Sequence, residues 1–196
     1  MEGGWEWPGS EGRGALVEVV LGGLSREREA ELDLQQVPKL NGYEVEWNMA
    51  AEAWMKGLMK VFSSGYLLTM DYGMEAGELF RAERKGGTLS CYYRHQRDDD
   101  PYDRPGMKDM TAHVNFSRLM ELGQEGGWQV EAWLNQERAL VQAAQGGFLA
   151  ELEERLGRDP QDAKARQEIR QFQTLTHPGM MGRSFRFLWQ RKLSEL

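Results

Sequence analysis

Apolar residues recur at helical spacing between Asn48 and Phe62, where Trp54, Leu58, Val61 and Phe62 would line one buried face. Ser63, Ser64 and Gly65 follow, and a glycine just past the last turn commonly stops a helix. The period then changes. Tyr66–Met70 (YLLTM) is a short apolar run flanked by turn residues, which predicts a buried strand ending in Asp71-Tyr72-Gly73. Gly86–Arg94 (GGTLSCYYR) holds β-favouring Thr, Leu and Tyr and predicts a second strand. A polar stretch running from His95 to Thr111 shows no period of its own and reads as a loop. Asn115 then suits the N-cap of a helix over Phe116–Leu122 that Gly123 would close. Trp128–Trp133 predicts a strand, and Glu137–Ala144 and Phe148–Leu156 predict helices separated by Gly146 and Gly147. Asp159-Pro160 opens a helix over Ala163–Leu175, and Ser184–Gln190 is a closing strand with Phe185, Phe187 and Trp189 alternating. Upstream, Ala15–Leu21 is a plausible strand, Ser25–Glu31 a charged turn or short helix, and the first dozen residues irregular.

Helices and strands in this alternation predict one α/β domain over residues 1–196, with residues 1–41 its least patterned part. The length suits one core, and 40% hydrophobic with 28% charged residues is ordinary for a folded chain. The net charge of −7 disfavours nucleic acid as a partner, since phosphate binding needs a basic face. Cys91 is the single cysteine, so no internal disulfide can form, and it reads as a small buried residue rather than a nucleophile. No signal-peptide pattern opens the chain and no apolar stretch reaches the roughly 18 residues of a membrane span. A cytoplasmic protein is the expectation.

Chemistry concentrates at two places. In open α/β sheets ligands sit beyond the carboxyl ends of strands, which is where Asp71 and Tyr72 fall. The long polar stretch carries His95, Asp109, Thr111 and His113. His95 and His113 with Asp98, Asp99, Asp100 and Asp103 are ligand types that suit zinc or manganese, but no tight ligand spacing occurs, and no metal is expected. Met180 and Met181 read as core filler.

Four motifs stand in a fixed order: GYLLTMDYG (Gly65–Gly73), GTLSCYYRH (Gly87–His95), PGMKDMTAHVNF (Pro105–Phe116) and LTHPGMMGRSFRFL (Leu175–Leu188). Together they resemble the MidA-type S-adenosylmethionine-dependent methyltransferases, a family that includes the mitochondrial assembly factor of respiratory complex I. The resemblance covers residues 42 to 192. It implies a class I methyltransferase fold, Rossmann-like, of which this chain would be the carboxy-terminal half, with later strands of a doubly wound sheet and an antiparallel closing strand.

The resemblance further implies S-adenosylmethionine as cofactor and a protein substrate, a respiratory complex subunit with an arginine acceptor among the candidates. Asp71, Tyr72 and Gly73 would border the cofactor. Asp109 would orient the acceptor and His113 would act as base, while His95, Thr111 and Asn115 would contact the substrate. Carboxylates suit a guanidinium because they bind it bidentately. The family's glycine-rich cofactor turn has no counterpart here: Gly12-Arg13-Gly14 and Gly22-Gly23 do not follow a strand and open a helix. Asn115 also replaces the family's usual Asp, and Ala139-Leu140 replaces its Phe-Leu after Gln136. A companion chain or a second copy would then complete the site, in mitochondria if the source is eukaryotic. The contrasting expectation is a non-catalytic binding or assembly protein built on half of the fold.

Overall fold

The computed structural model describes residues 3–4, 17–18, 30, 32–33, 35–98 and 100–194. Most of the Ala15–Leu21 and Ser25–Glu31 expectations lie outside these residues. What is described there is a short antiparallel pairing of β1 (Gly3–Gly4) with β2 (Val17–Glu18).

Helix α1 (Met49–Val61) begins where Asn48 accepts a hydrogen bond from the Ala51 amide at 2.9 Å. Its buried stripe differs from the expected one. Met55 is fully buried with Met59 beside it, whereas Trp54, Val61 and Phe62 are exposed. Both stripes obey the same i, i+4 spacing, and the choice between them belongs to the neighbouring helix.

That neighbour is α3 (Phe116–Glu125), whose Phe116, Leu119 and Leu122 form the main core with Met55 and Leu188. Asn115 caps it as expected, accepting from the Arg118 amide at 3.2 Å. Gly123, expected to close the helix, lies inside it. A Cβ there would overlap the Gln190 carboxamide and crowd Met55, so this glycine lets the helix approach the sheet. Gly126 ends the helix instead.

The central sheet has the order β7-β3-β9-β8, from β3 (Gly65–Met74), β7 (Val114–Asn115), β8 (Gln129–Asn135) and β9 (Phe185–Lys192). β9 runs antiparallel to both β3 and β8, so those two share a direction. β7 joins β3 in parallel, at Gly73↔Val114 and Met74↔Asn115. Parallel strands with an antiparallel closing strand are the expected arrangement. β3 is longer than expected and is not buried on both faces. Leu67 turns toward α1 and α3, while Tyr66, Leu68, Met70 and Tyr72 are exposed on the other side. On β9, Leu188 and Gln190 are the fully buried residues and Trp189 is exposed.

The polar stretch also departs from expectation. β4 (Ser90–Tyr93) is flanked by β5 (Gln96–Asp98) and β6 (Asp109–Thr111) in a separate antiparallel sheet. Two short strands with only polar or exposed positions have no period to read, and the pairing with β4 creates them. Cys91 at its centre is fully buried. The remaining helices are α2 (Ala76–Leu79), α4 (Gln136–Ala144), α5 (Phe148–Arg158) and α6 (Ala163–Thr176). Arg155 joins α5 to the start of α6 through Asp162 at 3.0 Å and Glu168 at 2.7 Å.

Candidate functional site

The pairing of β3 with β7 decides the geometry. Because Gly73 lies opposite Val114, the Asp71-Tyr72-Gly73 segment and the Thr111–Asn115 segment end side by side at one rim of the sheet. Gly73 makes this approach: a Cβ would overlap the Val114 carbonyl oxygen and the Phe116 ring, so no other residue fits without displacement. That space is filled by protein, so the glycine is needed here for packing. Asp71 and Tyr72 leave the strand on opposite faces, as successive strand residues must. Asp71 is exposed and accepts from the Tyr72 amide at 2.7 Å. The Tyr72 ring packs on Phe185 with centroids 3.9 Å apart.

His113 is held from behind by residues outside the expected set. The Glu46 carboxylate accepts from the Thr88 amide at 2.9 Å, the Thr88 hydroxyl at 3.0 Å and the Leu89 amide at 2.9 Å. Thr88 Oγ1 in turn accepts from the His113 amide at 2.9 Å. Gly87 permits the turn with φ of +67°, and a Cβ there would strike Glu46. The His113 imidazole is half-buried, and its Nδ1 has no hydrogen-bond partner among the described residues. Burial pushes its pKa below 6.5, and the nearby Arg84 charge adds to this, so the ring is neutral at pH 7. Nδ1 is shut off from solvent, and a neutral imidazole can accept a proton at a ring nitrogen that a substrate reaches.

His95, Asp109 and Thr111 line one open cavity of about 630 Å³ together with Tyr92 and Met110. Arg94 and His95 form the two-residue turn between β4 and β5, and both have left-handed backbones, with φ of 49° and 66°. Such turns usually take Asn or Gly, so two bulky polar residues here store strain at the mouth of the cavity. Thr111 Oγ1 reaches the Ser90 carbonyl only at 3.5 Å and is otherwise available. Asn115 is not: its oxygen caps α3 and its amide donates to Gln35 at 2.9 Å, so the expected substrate contact is given over to structure.

The acidic loop encloses a lysine. Lys108 Nζ lies 2.6 Å from Asp98, 3.4 Å from Asp103 and 2.8 Å from the Asp100 carbonyl, with its side chain buried. Its hydrogen bond to Asp98 holds that carboxyl below the usual range. Burial alone would push the ammonium down, but its bonds to Asp98 and Asp103 outweigh this and raise it. A protein cation therefore takes the centre of the cluster, and among the described residues no group of three or more His, Cys, Asp or Glu could hold a metal.

A second cavity of about 270 Å³ lies beyond the ends of β3 and β8, lined by Glu75, Glu78, Trp133, Asn135, Arg138 and Arg186 among others. Trp133 Nε1 donates to Glu75 at 2.6 Å, and Arg186 lies 3.7 Å from Glu78. None of these was singled out in the sequence. The signal present was Glu75 and Glu78 directly after DYGM, one helical turn apart at a strand end.

A family model described as "Putative S-adenosyl-L-methionine-dependent methyltransferase" matches residues 12–133. Two solved structures from Burkholderia thailandensis are similar. One, an uncharacterized superfamily protein, is 29% identical with a TM-score of 0.75, over 93% of this chain and 46% of that one. The other, a "likely methyl transferase" of the same superfamily bound to S-adenosyl-homocysteine, is 28% identical with a TM-score of 0.72, over 93% and 44%. This chain thus spans less than half the length of either. No curated protein matches.

Proposed function

Because the chain belongs to this family of S-adenosyl-L-methionine-dependent methyltransferases, we propose that it forms the acceptor side of a methyl-transfer site. The observation that supports this reading is the β3–β7 register, which brings the DYG and TAHVN segments to one rim. The neighbour with bound S-adenosyl-homocysteine supports the cofactor. The residues at the rim suit part of that molecule. Asp71 offers a carboxylate to its cationic or hydroxyl groups on one face of the strand, and the Tyr72–Phe185 pair offers an aromatic surface on the other. They supply an edge to the cofactor and not a complete cradle.

When bound, the cofactor would supply an electrophilic methyl group on a sulfonium. The chain's own residues have the remaining tasks of holding the acceptor in line and removing its proton. Asp109, with His95 and Thr111, would hold the acceptor in the larger cavity, and His113 would take the proton. The finer reading is a MidA-type enzyme that methylates arginine in a protein substrate. Asp109 in the larger cavity and Asp71 at the end of β3 are both acidic, which favours a cationic acceptor over an anionic one.

The test uses this chain completed by the rest of the fold. Isothermal titration with S-adenosyl-homocysteine should show binding, and absence of binding by a folded assembly would overturn the proposal. Asp109→Asn and His113→Gln should each lower methyl transfer by roughly 10²–10⁴-fold while leaving cofactor binding intact. Peptides carrying arginine, compared with the same peptides carrying lysine, identify the acceptor.

A further inference from the structure

The two strands that carry the acceptor side of the larger cavity have little of their own to fix them. β5 and β6 lie on opposite sides of β4 and pair with it through three residues each. All of β6 is exposed, and so is β5 apart from the half-buried Asp98. Short strands without an apolar stripe have a weakly specified register, and a slip of one residue turns every side chain to the other face. The observed register sets Arg97, Tyr92 and Asp109 in one row across the sheet, and Asp98, Cys91 and Met110 in the next. Successive rows point to opposite sides. Tyr92, Asp109 and Thr111 therefore share one side, and the cavity opens there. A slip of β6 by one residue would put Met110 where Asp109 stands and carry the carboxylate away.

One contact ties β5 to the start of β6 across β4. The ammonium of Lys108, the residue before Asp109, lies 2.6 Å from Asp98, which stands in the Cys91 row at the end of β5. The same nitrogen donates to the Asp100 carbonyl at 2.8 Å and lies 3.4 Å from Asp103, so the connecting loop is gathered around it. The Lys108 side chain is only 2% exposed, and a buried charge parted from its partners is costly. A one-residue slip of β6 would carry this ammonium roughly 3.3 Å along the strand, too far for these contacts to persist. We infer that Lys108 is a positioning residue for the acceptor: from the far side of the sheet it locks β6 against β5 and keeps Asp109 and Thr111 turned to the cavity. The inference deepens the methyl-transfer reading and rests on it for the role of Asp109.

The experiment is a double-substitution cycle on the full chain, read by the binding of an arginine-containing peptide. Lys108→Met removes the ammonium and Asp109→Asn the carboxylate. Each should weaken binding about tenfold, and the two together no more than either alone, because Lys108 acts through Asp109. Losses that multiply toward about a hundredfold would overturn the inference, since a lysine with a general structural role adds its effect to that of Asp109. A second measurement does not depend on the acceptor. Cys91, the single cysteine, is fully buried in the row that holds Asp98. Its reaction with a thiol reagent should be about tenfold faster or more in Lys108→Met, because unlocked edge strands open locally. Equal rates would overturn the inference. If the unsubstituted chain binds no arginine peptide, the acceptor reading fails, and the thiol rates still decide whether Lys108 locks the strands. Should Lys108→Met lose its circular dichroism, Asp98→Asn, which keeps a hydrogen-bond acceptor and removes the charge, enters the same two comparisons.

Discussion

The two faces of the central sheet have nearly the same chemistry and opposite fates. On one, Leu67, Leu188, Val130 and Trp133 meet the helices α1 and α3, and Phe116, Met55 and Leu122 are sealed from water. On the other, Tyr66, Leu68, Met70 and Trp189 are equally apolar and stay exposed. Hydrophobicity thus says which residues seek burial, and only the elements laid across them say which obtain it. The same difference separates stability from recognition: the covered face holds the fold, and the bare one is free to bind.

Four measurements can break or sharpen this contrast. The largest effect belongs to Phe116, fully buried and packed on Trp133 with centroids 4.6 Å apart. Phe116→Ala should cost about 3–5 kcal/mol in denaturant unfolding. The matched truncation Tyr66→Ala on the bare face should stay within about 0.5 kcal/mol, and similar losses at both sites would erase the distinction. Gly73→Ala comes next. A methyl group there must displace Val114 or Phe116, and overpacking of this kind costs about 1–3 kcal/mol, so the melting temperature should drop and the rim should loosen.

A smaller loss, about 1 kcal/mol, is expected for Asn115→Ala, which removes the cap of α3 and the bond to Gln35. Asn115→Asp should retain the cap. The smallest effect concerns pH. The folded His113 pKa lies below its ordinary 6.5, so the unfolded chain takes up the proton first on acidification. Its linked contribution to stability is therefore undiminished above that value and declines as pH falls through it toward the lower folded value. The imidazole proton signals of His113 should titrate with a midpoint below 6.5. A midpoint at or above this would show the ring to be solvated or paired with Glu46.

Much of the fold was legible along the chain. The helices over Met49–Val61 and Ala163–Thr176 and the closing strand over Phe185–Lys192 follow from period, caps and breakers, all of which act within a few residues. β5 and β6 were not legible, because a short polar strand exists only through its partner. Gly123 misled for a related reason: a glycine that admits a neighbouring side chain looks, in one dimension, like a glycine that ends a helix. The site divides likewise. Asp71, His95, Asp109, Thr111 and His113 stand out by residue type and motif, whereas Glu46, Thr88 and Lys108 draw their roles from contacts that cross the chain.

By itself the sequence determined the order of elements, the cap at Asn115 and the four motifs with their titratable groups, since each depends on neighbours a few bonds away. Tertiary structure decided which stripe of α1 is buried, which face of β3 meets water, that Gly73 and Asn115 serve packing, and that a lysine fills the acidic loop. Those outcomes depend on free energies of contact between segments dozens of residues apart, and no local pattern encodes which segments will meet.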